Sequence, residues 1–176
     1  MKRHGFLMTE ALLTLGILAL ISAAAFPLIT ETAGIAAGLS RRIRVREDAA
    51  YAAEYVTEAV RFARDRSSSA EGTASDSYSF KRKSTNAGVQ TYRFAVSGAI
   101  LRFHVYEGGS QPVTGDTGTP VEYRVVHGER SSYFTTQPGG LLSVSFRMTH
   151  TSGESFSAET SVLPLYDFLK TGEYFE

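Results

Sequence analysis

Side chains able to do acid–base or metal chemistry are sparse in this sequence and widely scattered. His4, His104, His127 and His150 stand far apart, with no H-x-x-x-H spacing and no carboxylate at the interval a zinc site needs. Cysteine is absent, which excludes disulfides, thiolate metal sites and a cysteine nucleophile. Gly153-Glu154-Ser155-Phe156-Ser157 carries the serine of a nucleophile elbow but lacks its closing glycine. Neither a Walker A loop nor a dinucleotide fingerprint occurs. Glu107 and Asp116 flank a loop of the kind that binds calcium, yet two separated acids read more simply as a solvated loop. The chain therefore reads as a non-enzyme with no cofactor and no metal. One carboxylate asks for a role: Glu10, because of where it lies.

Across residues 6–39 the only charged side chains are Glu10 and Glu31. Residues 6–29 are almost continuously apolar, interrupted by Thr9, Glu10, Thr14, Ser22 and Pro27. As a helix this stretch would run about 36 Å, enough for the ~30 Å hydrocarbon core of a bilayer. A charge at the centre of such a helix costs about 2.5–3.5 kcal/mol and less toward its end, so an acid retained there needs a partner. Two bland readings compete. Residues 1–5 form a basic leader and Ala23-Ala24-Ala25 fits the small-residue rule of an ordinary secretory signal, cut after Ala25. An uncut anchor helix with Glu10 among the lipid headgroups is the other.

The run Gly5-Phe6-Leu7-Met8-Thr9-Glu10-Ala11-Leu12-Leu13-Thr14-Leu15-Gly16 closely resembles the class III signal sequence of type IV pilins and type II secretion pseudopilins. The resemblance covers about the first thirty residues. It implies cleavage between Gly5 and Phe6 by a prepilin peptidase, methylation of the new Phe6 amine, and an assembly role for Glu10. Gly16 and Pro27 fall where many pilins carry helix-loosening and helix-kinking residues. Thr9 departs from the aliphatic residue common before the glutamate. The implied partners are other pilin or pseudopilin subunits, a prepilin peptidase, an assembly platform protein and an ATPase. The implied location is the inner or plasma membrane, single-pass with the C-terminal domain outside the cytoplasm, then a filament. The lack of a major-pilin disulfide loop favours a minor pilin or pseudopilin. Simple chemistry agrees, since a Phe6 amine and a Glu10 carboxylate four residues apart share a helix face and can neutralise each other.

The remaining elements would position this segment. Residues 30–66 read as an amphipathic extension of the helix, with Ile35, Leu39, Ile43, Ala50, Ala53, Val56, Val60 and Ala63 as its apolar face and Ser67-Ser68-Ser69 with Gly72 as its stop. Pro27, Gly34 and Gly38 read as soft points. Arg41, Arg42, Arg44 and Arg46 oppose the positive-inside expectation set by Lys2 and Arg3. They read as a solvated face or, with Lys81-Arg82-Lys83 nearby, as a docking surface for DNA or acidic partners. The whole chain gives no such bias, having 18 Lys+Arg against 18 Asp+Glu.

Residues 67–176 hold twelve of the sixteen glycines and fifteen of the twenty aromatics. Alternation marks strands at Tyr78–Phe80, Tyr92–Val96, Leu101–Val105, Val121–Val125, Leu142–Met148 and Phe156–Val162. Ser97-Gly98 reads as a hairpin turn, Gly139-Gly140 and Ser152-Gly153 as further turns, and residues 107–120 as an exposed loop. The apolar tail 163–175 would fold back or offer a binding patch. The expected fold is α+β: a long N-terminal helix, membrane-spanning in its first half, packed by its second half on an antiparallel sheet. The boundaries are leader 1–5, membrane or filament-core helix 6–29, extension 30–66 and β-rich domain 67–176. A secreted or anchored β-domain that binds a partner without polymerising is the alternative.

Overall fold

A computed structural model describes residues 4–63, 65–66, 74–84, 88–106, 108–115 and 123–165. Residues 1–3, the serines at 67–69 with Gly72, Glu107, Asp116, Val121 and the tail 166–176 lie outside the described residues. One helix, His4–Arg61, runs without interruption through Pro27. It is followed by antiparallel strands, so the class is α+β. The chain divides into two compact units, 1–41 and 42–176, with the boundary inside the helix rather than at its end.

Within the first unit every large apolar side chain described is exposed, from Met8 at 70% to Leu39 at 57%. A helix apolar on all sides has no face to give to water. Its hydroxyls are satisfied internally: Thr14 donates to the Glu10 and Ala11 carbonyls, Thr30 to Phe26 and Pro27, and Thr32 to Leu28 and Ile29. Such back-bonding leaves little polar demand on the surroundings, as an apolar solvent requires.

The second unit begins where burial begins. Val45, Ala49, Ala52, Val56 and Val60 are each at most 1% exposed. Their intervals of three and four residues put them on one stripe. Sequence periodicity placed this seam partly wrongly. Val56, Val60 and Ala63 are buried as expected, whereas Ile43 and Ala50 are exposed and Ala53 only half-buried. The two registers differ because alanines count weakly in a hydropathy pattern, yet Ala49 and Ala52 are the residues small enough to let a sheet approach the helix. The helix also stops at Arg61, short of the expected 66. Ala63 N–H bonds the Val60 carbonyl at 2.9 Å, a tightened last turn, and frees the chain to pair at Asp65–Arg66.

Two antiparallel sheets, where the alternation suggests one, pack with this helical segment around a shared core. The first orders β1 (Asp65–Arg66), β3 (Ser77–Ser84), β4 (Gly88–Ser97), β5 (Ile100–Val105) and β6 (Gly109–Pro112) as β1-β3-β4-β5-β6. The second joins β10 (Ser155–Val162), β9 (Leu142–His150), β8 (Phe134–Thr136) and β2 (Ala74–Ser75), with β7 (Tyr123–His127) also on β9. All pairings are antiparallel. The expected loop at 107–120 contains β6, and Thr114 behind it is 4% exposed with its Oγ1 accepting the Leu101 N–H at 3.0 Å. Glycine and Pro112 suggested a loop; an edge strand tolerates both because one side of it needs no partner.

On the first sheet, register stacks Tyr78 beside Phe94 and Phe94 beside Phe103, with Phe80 beside Tyr92. Tyr55 of the helix meets Phe94 and Phe103 edge-on, at centroid distances of 6.2 and 5.8 Å. Edge-to-face contact adds about 0.5–1.5 kcal/mol per pair beyond area burial. On the second sheet, β9 is buried on both sides: Leu142, Val144, Phe146 and Met148 face one way, Ser143 and Ser145 the other. Gln137 Nε2 donates to Ser143 Oγ at 2.8 Å, and Gly128 lies so close that a Cβ there would meet Ser145 Oγ at 2.6 Å.

Candidate functional site

Gly5 and Phe6 lie in the first turn of the helix, and Glu10 follows Phe6 by four residues on the same continuous backbone. That interval puts positions 6 and 10 on one helix face about 6 Å apart. Glu10 is exposed, one turn before Thr14, whose hydroxyl is turned onto the Glu10 backbone carbonyl and not onto its carboxylate. An added Cβ at Gly16 would meet no atom within 4 Å, so that glycine answers to no packing need within the first unit. Pro27 lacks the N–H that would bond residue 23, and Thr30 Oγ1 donates to the Pro27 carbonyl at 2.9 Å. Helix length and composition make this one segment able to cross a membrane, and its most apolar window is wholly unburied.

The basic clusters are not brought together. Arg42 and Arg46 line a cleft of about 710 Å³ with Val45 and the β9–β10 turn. Arg82 sits at the other end of the segment, its guanidinium 5.5 Å from the Phe62 ring. Twenty residues of helix separate Arg42 from Phe62, about 30 Å. A docking surface made jointly by the two clusters, the alternative to a solvated face, is therefore not formed.

Two polar constellations escaped the sequence reading. Asp76 Oδ1 and His127 Nε2 lie 2.9 Å apart, and the imidazole stacks on Tyr133 at 4.2 Å. Burial, then the Asp76 charge, pushes the Tyr133 hydroxyl above its ordinary range. The pair links the β2–β3 bend to β7 across 51 residues, a separation that leaves no local signal. Ser152 bonds both His150 Nδ1 and the Glu154 carboxylate, with those two side chains 3.6 Å apart at their nearest atoms. The hydroxyl stands between base and acid, whereas a nucleophilic relay requires the base in the middle. This arrangement braces a turn, where His150 N–H also bonds the Glu154 carbonyl at 2.7 Å. Among the described residues no three His, Asp or Glu side chains converge as a metal site.

No protein-family model, curated protein or solved structure matches the chain.

Proposed function

We propose that this chain is a structural subunit, of the minor pilin or pseudopilin kind, in a type IV pilus, type II secretion pseudopilus or competence pilus. A prepilin peptidase would cut after Gly5, the methylated Phe6 amine would pair with Glu10, and the helix would carry the subunit from the membrane into a filament. The platform protein and ATPase act on it from the membrane and cytoplasm. It catalyses nothing itself.

The observation that carries this reading is the Gly5-Phe6-x-x-x-Glu10 run at the head of a helix that is apolar on all sides and then, past residue 41, becomes the core of a β-domain. Lipid or other helices would cover the first half. Intact-mass and N-terminal analysis of membrane-derived protein is the test. Phe6 as the first residue, N-methylated, is expected, and Gly5→Val should leave the precursor uncut. A mature protein starting at Phe26 would make it an ordinary secreted β-domain; an intact Met1 would make it a simple anchor.

A further inference from the structure

The face of the first sheet turned away from the helix has no assigned role, and among the described residues its charge is one-sided. Strands β3 to β6 contain Lys81, Arg82, Lys83, Arg93 and Arg102 and no Asp or Glu. Alternation sorts them. Tyr78, Phe80, Phe94 and Leu101 are the buried set, so Lys83, Arg93, Arg102 and His104 fall on the opposite face, with Lys83, next to the strand's end, also bordering the helix-side cleft that Glu58 lines. Asp65 of β1 is paired in register with Lys81 at the margin of this array. Ion pairs among the described residues leave Lys83, Arg93 and Arg102 without a carboxylate. Arg93 Nη2 donates to Ser77 Oγ at 3.1 Å, which orients the guanidinium and leaves its other donors for a ligand. His104 reports the local field: burial, then Arg93 and Arg102, holds its imidazole below the usual histidine range.

Across this face runs an open groove of about 540 Å³, floored by Ser79, Thr91, Arg93 and His104 and flanked by Tyr106 and Ser110. Tyr106 is 83% exposed, the barest large hydrophobic side chain among the described residues. Its backbone is nevertheless held, the N–H bonding the Thr91 carbonyl at 3.1 Å. An exposed ring with no core to pack against, carried on a hydrogen-bonded backbone and set beside cations and hydroxyls, matches the chemistry of a base-stacking platform.

We propose that this face binds single-stranded nucleic acid, with Lys83, Arg93 and Arg102 holding phosphates and Tyr106 stacking on a base. Charge complementarity selects a polyanion. The exposed ring selects the single strand, because only unpaired bases offer their faces to it. The cations span roughly 20 Å along the strands, six residues at 3.3 Å, which is room for several phosphates. This site is independent of filament assembly and survives or fails without it.

The test is fluorescence anisotropy of the full chain in neutral detergent with labelled oligothymidylate of about twenty nucleotides, at about 50 mM salt and above. Saturable binding should weaken with salt with a log–log slope of about −2, for three phosphate contacts on a single strand. Arg93→Ala with Arg102→Ala should weaken it at least roughly tenfold and flatten the slope by about 1.4. The Arg93→Lys, Arg102→Lys pair, keeping the charge, should retain most of it, which separates loss of contact from loss of fold. Tyr106→Ala should cost roughly tenfold against oligothymidylate while leaving binding of polyglutamate unchanged. No saturable binding at low salt overturns the proposal. So does a Tyr106→Ala variant that binds like wild type, or equal affinity for duplex, polyglutamate or vesicles of one part phosphatidylglycerol to three of phosphatidylcholine.

Discussion

At the scale of single residues, Ala99 and His104 each carry a cost that can be read out. The β4–β5 hairpin turns through Gly98 and Ala99, both with positive φ, at 62° and 63°. That is the geometry of a two-residue turn whose twist matches the strands, and it suits glycine or asparagine better than alanine. The Ala99 carbonyl accepts the Val125 N–H at 2.7 Å, tying the turn of one sheet to a strand of the other, a bond that glycine would keep. A left-handed alanine costs about 1–2 kcal/mol, and glycine returns part of that as unfolded-state entropy. Ala99→Gly should therefore stabilise the fold by about 0.5–1 kcal/mol, read as a thermal midpoint a few degrees higher. His104 gives a pH signature. Its folded value lies below the ordinary one, so near pH 6 the unfolded chain binds the proton that the folded chain refuses. This contribution to stability is intact above the ordinary histidine range and is lost as pH falls through it. Between pH 7.5 and 5.5 the midpoint of wild type should drop more than that of His104→Gln; equal drops would mean that neither burial nor Arg93 and Arg102 disfavour protonation of the ring.

At the scale of elements, the helix is two objects under one backbone. Residues 45–60 supply a buried stripe to the β-domain, while the large apolar side chains described up to Leu39 are all exposed. Removing residues 1–41 should yield a soluble protein that keeps its β-structure, because the 42–176 unit retains its helix–sheet core. Removing residues 1–61 should expose Phe94, Phe146 and their neighbours and lead to aggregation. Size-exclusion chromatography with circular dichroism checks both. A monomeric, cooperatively folded 62–176 fragment would show that the sheets make a sufficient core by themselves.

At the scale of the whole molecule, Glu10 distinguishes a filament subunit from an anchor. Glu10→Leu removes a charge from an apolar helix, so membrane insertion should be at least as good as in wild type. Processing should persist because Gly5 and Phe6 are unchanged. In a filament, however, the Phe6 amine would be buried without its counter-charge, which is far more costly than burying the pair. The processed mutant should therefore accumulate in the membrane and be several-fold depleted from sheared filaments or from crosslinks to neighbouring subunits. Equal recovery at equal membrane level would remove the assembly role from Glu10.

The sequence by itself determined the class of fold, the apolar helix and the six strands with clear alternation, because each rests on a local period of 3.6 or 2. The Gly5-Phe6 run with Glu10 is of another kind: it rests on a resemblance confined to about the first thirty residues, joined by the four-residue interval from Phe6 to Glu10. What only tertiary structure decided was contact across distance. The division into two sheets depends on β2, β6 and β8, strands of two to four residues that are too short to show a period and that exist because longer strands offer them an edge. The helix seam runs through Ala49 and Ala52, chosen by closeness of approach rather than by hydropathy. The cationic face arose likewise: Lys83, Arg93 and Arg102 come from three strands, and only antiparallel register puts them on one surface.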